Sequence, residues 1–214
     1  MKVILILTIL VVSSCGNTEG KKYTHSNLHG LGHSHAQEAN NFADTLWVNK
    51  VESKVQWIGK KMVGKHDGHV ELAGGFIARK GGVITNGEIL VNMQSISVDD
   101  IEAVKWNTKL VNHLKNDDFF NSEKYPTAKF VFNSVHEEEG STHIHGELTI
   151  RDKTKPFEMF TTLLVQENKS IAIGTVEIDR TLFGIKYGSG KFFEDLGDKM
   201  ILDNFTLNFN IVAN

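Results

Sequence analysis

Apolar and polar residues alternate with a period of two over most of this 214-residue chain, from about residue 45 to the C-terminus. One such run reads FTLNFNI at residues 205–211, and other runs lie at residues 51–57, 88–93, 129–133, 144–151 and 175–179. This alternation indicates β-strands with one buried and one solvent-exposed face. Glycine-containing turn signals separate the runs, at residues 81–82, 86–87, 139–141 and 188–190. Because many antiparallel strands in one domain must close into a barrel or stack as a sandwich, the sequence predicts an all-β domain.

One segment of about residues 99–115 has helical rather than strand spacing. Its apolar stripe consists of Ile101, Val104, Leu110, Val111 and Leu114. Ser97 precedes the stripe as a candidate N-cap, and two acidic residues, Asp99 and Asp100, suit the positive end of a helix dipole. The sequence therefore predicts one amphipathic helix inserted into the β domain.

The N-terminus has the features of an export signal. Lys2 precedes an apolar run at residues 3–12, which is too short for the roughly 20 residues of a membrane span. Small residues then lead to Cys15, the only cysteine of the chain, in a pattern that resembles a bacterial lipobox. We predict a signal peptide at residues 1–14 and lipidation of Cys15, which would anchor the protein to a membrane of the cell envelope, facing the periplasm or the cell surface.

Residues 15–43 would form a flexible tether between this anchor and the β domain at residues 44–214, because polar residues dominate the segment. Four of its histidines are candidate ligands for a transition metal: His25, His29, His33 and His35. No carboxylate or thiolate stands at a fixed spacing from them, and a flexible segment does not preorganise a site. A solvated spacer is therefore the favoured interpretation, and no metal site is predicted.

Several motifs resemble those of the YceI-like family, which is also called the polyisoprenoid-binding, lipocalin-like family. The central match reads HLKNDDFF at residues 113–120 and YPTAKF at residues 125–130. GKHDG at residues 64–68, GELTIRDKTKP at residues 146–156 and IDRTLFGI at residues 178–185 resemble further family motifs. The matches occur in the family's order and span roughly residues 47–212.

This resemblance implies an antiparallel eight-stranded lipocalin-like barrel that holds a polyisoprenoid or the tail of an isoprenoid quinone, without a further cofactor. It is also compatible with a homodimer. The alternation alone leaves two readings open, because a barrel of this size has room either for its own side chains or for one slim ligand. The candidate residues for lining a ligand pocket are Trp57, Ile89, Val91, Met93, Phe119, Phe120, Phe130, Phe132, Leu148, Ile150, Val176, Ile178, Phe205, Leu207 and Phe209.

Two charged or titratable residues are candidates for contact with a polar headgroup. His66 lies in the matched glycine turn, and Arg180 could either orient a headgroup or form a structural ion pair with an acid such as Asp179 or Glu177. His143 and His145 share one face of a predicted strand and could contact a metal or a headgroup together. An exposed polar pair is the favoured interpretation for these two histidines.

Charge and motifs argue against two other classes of function. The formal net charge is −3, from 23 basic and 26 acidic residues without a long block of one sign, which argues against nucleic acid as a partner. The chain has no nucleophile elbow, phosphate loop or dinucleotide motif, so no enzymatic activity is expected. The sequence predicts a membrane-anchored protein that sequesters or carries an isoprenoid lipid. The alternatives are a metal-scavenging envelope lipoprotein that uses the histidine tether, and a ligand-free structural or stress-response barrel.

Overall fold

The structure, a computed structural model, describes residues 42–138 and 140–214. The predicted signal peptide, Cys15 and the four tether histidines lie outside the described residues. Among the residues that the structure describes, no helix combines the length and the apolar character needed to cross a membrane.

Within the described ranges, ten strands pair antiparallel in one sheet with the order β1-β4-β5-β6-β7-β8-β9-β10-β2-β3. The strands are β1 (Ala43–Trp47), β2 (Lys54–Lys61), β3 (Lys65–His69), β4 (Leu72–Lys80), β5 (Val83–Asn92), β6 (Thr127–Glu138), β7 (Ser141–Ile150), β8 (Lys153–Gln166), β9 (Lys169–Asp179) and β10 (Ile201–Ala213). One α-helix, α1 (Val104–Lys115), lies between β5 and β6. Short 3₁₀ turns cover Met93–Ser95, Arg180–Phe183 and Gly197–Lys199.

Backbone contacts between the first and last strands curl the sheet into a barrel-like shape. Val48 bridges Ala213, and Trp47 and Asn214 exchange two backbone hydrogen bonds of 3.1 and 3.0 Å. The inward faces of the strands and one face of α1 then pack on a shared apolar core. The fold is therefore the predicted all-β, lipocalin-like barrel with one helix.

The predicted count of eight strands is wrong in detail, because β1 and β3 are additional. Each has five residues, and they occupy the two ends of the strand order. Strand β3 reads KHDGH, so it has no apolar alternation by which it could be recognised. The run predicted from residue 51 is also corrected, because Val51 and Glu52 lie in a turn and β2 begins at Lys54.

The helix begins at Val104 rather than near residue 99, and its N-cap, Ala103, makes no side-chain cap hydrogen bond. The preceding segment pairs with β3 instead. The Ser97 N–H donates to the His69 carbonyl at 3.0 Å, and the Asp99 N–H donates to the Asp67 carbonyl at 2.9 Å. Residues 97–99 therefore form backbone hydrogen bonds to the edge of β3 instead of starting the helix, although acidic residues locally favour a helix start.

One end of the barrel is closed by a separate apolar cluster and a buried arginine. The buried members of the cluster are Leu46, Ile77, Ile84, Phe132, Ile144 and Ala213. Arg79 is 4% exposed and donates to the carboxylate of Asp44 and to the carbonyls of Gln166 and Glu167, at 2.7 and 2.6 Å for the two carbonyls. Arg79 thus connects β1 and β4 to the hairpin between β8 and β9 by hydrogen bonds, and these bonds stabilise the closed end of the barrel.

Candidate ligand-binding cavity

The curled sheet and helix α1 enclose an apolar cavity of about 470 Å³. That volume lies within the range of roughly 300–1,000 Å³ that is usual for small-molecule pockets. All fifteen residues that the sequence predicts for the pocket line it: Trp57, Ile89, Val91, Met93, Phe119, Phe120, Phe130, Phe132, Leu148, Ile150, Val176, Ile178, Phe205, Leu207 and Phe209. The inward face of the barrel is therefore only partly filled by its own side chains.

Strand β8 supplies part of the wall that the sequence reading missed. Phe157, Met159 and Leu163 line the cavity at alternate positions of this strand. Phe160 and Leu164 on the opposite face are exposed but also apolar, so the contrast between the two faces is weak. The sequence feature that could have indicated this wall is the period of two at residues 157, 159, 161 and 163, where only Thr161 is polar.

Gly87 makes room for an aromatic wall residue. Residues 86–87 are not the predicted turn but lie inside β5, where Gly87 pairs with Phe132 of β6. A Cβ at Gly87 would lie 2.6 Å from the Phe132 ring and 2.5 Å from the Phe76 carbonyl oxygen. Glycine is required here so that the Phe132 ring can lie across the neighbouring strand.

The polar lining residues gather at the end opposite the apolar cluster. This end contains the hairpin between β2 and β3 and the start of β10, which are joined by a 3.1 Å hydrogen bond from the Met62 N–H to the Met200 carbonyl. The polar lining residues are Lys60, Lys61, His66, His113, Lys129, Arg180, Tyr187, Lys199 and Asn204. The cavity is thus apolar along its length and polar at one end, which we call the polar mouth.

Aromatic side chains form the wall between the helix end and the polar mouth. His113 of α1 packs edge-on against Phe119 and Tyr187, with ring centroids 5.2 and 4.5 Å apart. Phe120 packs edge-on against Phe205 of β10 at 6.1 Å. Phe119 and Phe120 therefore form the part of the cavity wall that lies beside the end of α1.

His66 lies at the polar mouth, and a carboxylate orients its ring. Its Nδ1 is 2.8 Å from Oδ2 of Asp100, and the side chain is about one-third exposed. Partial burial opposes ionisation of Asp100, but hydrogen bonds from His66 and from the Asp67 N–H hold the pKa of this carboxyl below its ordinary value. Asp100 thus stays ionised and fixes the imidazole beside the cavity.

Arg180 lies behind the polar mouth and is only 2% exposed. Its guanidinium donates to the carbonyls of Ile185, Ile201 and Leu202 at 2.9, 3.1 and 3.2 Å. Its closest carboxylate contact among the described residues is Asp203 at 3.8 Å. Burial lowers the pKa of Arg180, and the charge of Asp203 opposes that shift.

These contacts favour the interpretation that Arg180 has a structural role. Its carboxylate neighbour is Asp203 rather than the predicted Asp179 or Glu177. Asp179 instead accepts from Thr181 and pairs with Lys191 at 2.9 Å. Contact of Arg180 with a headgroup stays a prediction.

His143 and His145 lie on the outer face of β7, since the alternate residues Thr142 and Ile144 are buried.

A family model described as the YceI-like domain matches residues 47–213. A UPF0312 protein of Shewanella denitrificans is 31% identical over 114 residues, which cover 50% of this chain and 57% of that protein. Protein YceI of Escherichia coli O157:H7 is 32% identical over 78 residues, which cover 36% of this chain and 37% of that protein. The chain thus spans little more than half the length of the first relative and little more than a third of the second.

Two solved structures have a similar fold. Burkholderia cenocepacia BcnA superposes with a TM-score of 0.58 at 19% identity, over 78% of this chain and 99% of that one. A polyisoprenoid-binding domain from Saccharophagus degradans, implicated in plant cell wall breakdown, superposes with a TM-score of 0.57 at 8% identity, over 79% of this chain and 97% of that one. At such identities the likeness supports the fold alone.

Proposed function

The chain belongs to the YceI-like family, and on that premise we propose that it binds an isoprenoid lipid or the tail of an isoprenoid quinone in its barrel. The observation that carries the proposal is the apolar cavity of about 470 Å³ with a polar mouth at one end. A polyisoprenoid-binding domain among the structural neighbours supports the same class of ligand. The proposed role is sequestering or carrying the lipid rather than catalysis.

The distribution of polar groups favours an amphiphile over a purely apolar ligand. An isoprenoid chain buried among the aromatic and branched side chains would gain about 25 cal/mol per Å² of apolar surface. Burying a polar headgroup against the same apolar wall without hydrogen-bond partners would cost several kcal/mol of binding free energy. We therefore propose that the headgroup lies at the polar mouth, near His66, Lys60 and Lys199.

We further propose that the protein acts at a membrane of the cell envelope, anchored through Cys15. Apolar side chains around the polar mouth support delivery of lipid from a membrane surface. Met62 and Val63 of the hairpin between β2 and β3 are exposed, as are Phe192 and Phe193 of the loop before β10. Lysines at positions 60, 61 and 199 stand beside them and suit an anionic membrane surface.

The cavity argues against the alternative of a ligand-free barrel, because a barrel filled by its own side chains would contain no continuous cavity. The metal-scavenging alternative depends on histidines outside the described residues and stays a prediction.

Titration of the lipid-free mature protein with a prenyl-tailed quinone tests the proposal. Trp57 lines the cavity, whereas Trp47 and Trp106 are largely exposed, so a quinone in the cavity should quench the fluorescence of Trp57. We expect saturable quenching with one quinone per chain. A Trp57→Phe variant should lose most of the signal, which would assign the quenching to the cavity. A quinone without its prenyl tail serves as the control. Equal quenching by both quinones would contradict the proposal.

A further inference from the structure

Two histidines and a glutamate meet on the outer surface of the barrel. His143 and His145 lie on one face of β7, and Glu158 lies directly opposite His145 on β8. Glu158 Oε2 is 3.6 Å from Nε2 of His143 and 3.5 Å from Nδ1 of His145. The three ligand atoms all lie within 4.8 Å of one another.

These separations fit metal coordination better than direct hydrogen bonding. A nitrogen-to-oxygen hydrogen bond in a protein is usually about 2.7–3.2 Å long, so 3.5 and 3.6 Å are too long. Ligand atoms at bond lengths of about 2.0–2.2 Å around a tetrahedral ion are themselves roughly 3.3–3.5 Å apart. The carboxylate thus already lies at nearly the distance from each imidazole nitrogen that such an ion needs, and the two nitrogens lie within 4.8 Å of each other.

The environment of His143 points to a ligand in its own right. The side chain is 15% exposed, and its Nε2 is buried without a hydrogen bond to any residue that the structure describes. Phe160 stacks on the ring at 4.2 Å with an interplanar angle of 14°. Nδ1, the other ring nitrogen, is 3.7 Å from Oε2 of Glu138. At this distance the Glu138 carboxylate is beyond hydrogen-bond reach, but it adds negative charge beside the ring.

We propose that His143, His145 and Glu158 form a surface site for a divalent transition-metal ion of the zinc class. Two imidazoles and one carboxylate suit zinc, copper or nickel, whereas calcium and magnesium prefer a shell of oxygen atoms. With three protein ligands, the fourth position is left for water or an external ligand. The site lies on the outer face of the sheet, so it is separate from the cavity, and its three ligands all come from β7 and β8.

Calorimetric titration with Zn²⁺ tests this site. The full mature chain carries alanine at His25, His29, His33 and His35, so that the tether cannot contribute. We expect one Zn²⁺ per chain. Loss of an outer-shell partner weakens metal binding by roughly 10–100-fold. Because His143→Ala and Glu158→Gln each remove a direct ligand, each should weaken Zn²⁺ binding by at least that factor. Glu158 is 68% exposed, so its replacement should not disturb folding.

His69→Ala is the matched control, because His69 is also an exposed histidine with a carboxylate partner, Asp99, but lies on β3. Its Zn²⁺ affinity should be unchanged. Long-range ¹H–¹⁵N spectra should show Zn²⁺ on Nε2 of His143 and on Nδ1 of His145. No saturable binding, an affinity unaffected by His143→Ala and Glu158→Gln, or Zn²⁺ on other nitrogens would overturn the proposal. Lipid binding should be the same in all these variants.

Discussion

Replacing Arg180 with alanine should lower the free energy of unfolding by about 3–5 kcal/mol, as expected for removal of one side of a buried, charged hydrogen-bond network. The guanidinium donates to three carbonyls, of Ile185, Ile201 and Leu202, and these would lose their partner together. Each buried polar group without a partner costs about 1–3 kcal/mol. The carboxylate of Asp203 would also lose one of its two cationic neighbours and keep only Lys191, at 3.3 Å. The arginine contributes chiefly by joining β10 to the loop that follows β9.

Urea unfolding monitored by circular dichroism measures this effect, and Lys80→Ala on the surface serves as a control that should change stability little. Arg180→Lys should recover only part of the loss, because an ammonium group cannot reach three carbonyls in the same geometry. A loss below about 1 kcal/mol, together with strongly reduced lipid affinity, would instead identify Arg180 as a headgroup ligand.

Replacing Ala172 with tryptophan should block the cavity while leaving the fold intact. Ala172 of β9 lines the cavity, where its cross-strand partners Leu163 and Ile211 also face. The new indole would occupy cavity volume rather than a close-packed site, so overpacking strain should be small. Excluding about 100 Å² of lipid surface would cost about 2.5 kcal/mol, or about sixtyfold in affinity.

The matched control is Ile173→Trp, at the next position of the same strand but exposed on the outer face. Quinone titration should give an unchanged affinity for this control and a loss of about sixtyfold for Ala172→Trp. Wild-type affinity in Ala172→Trp, with melting temperatures that show both variants to be folded, would place the ligand elsewhere.

The sequence was sufficient for the class of fold and for most of the cavity wall, since strands such as β10 alternate strongly between an apolar and a polar face. It was insufficient where neighbouring strands decide the structure. Pro156 lies within β8, at a part of the strand that pairs with β7, and the ladder to β9 begins only at Thr162. Proline is tolerated there because no hydrogen bond to β9 is needed.

The same limit applies to the polar groups. Asp99 and Asp100 looked like helix-start residues, but they accept hydrogen bonds from His69 and His66 of a strand about 30 residues earlier in the chain. The shared face of His143 and His145 followed from spacing, whereas their approach to Glu158 follows from the register of β7 against β8. Register depends on packing and turn geometry, which local sequence does not specify.

Identification of the lipid that co-purifies with the mature protein tests the central claim most directly. The chain without its anchor, exported to the periplasm and purified without detergent, is extracted with organic solvent, and the extract is analysed by quantitative mass spectrometry. Our account predicts close to one isoprenoid lipid per chain, and little or none from Ala172→Trp. A chain that yields no isoprenoid, even after incubation with isoprenoid quinones, would contradict it.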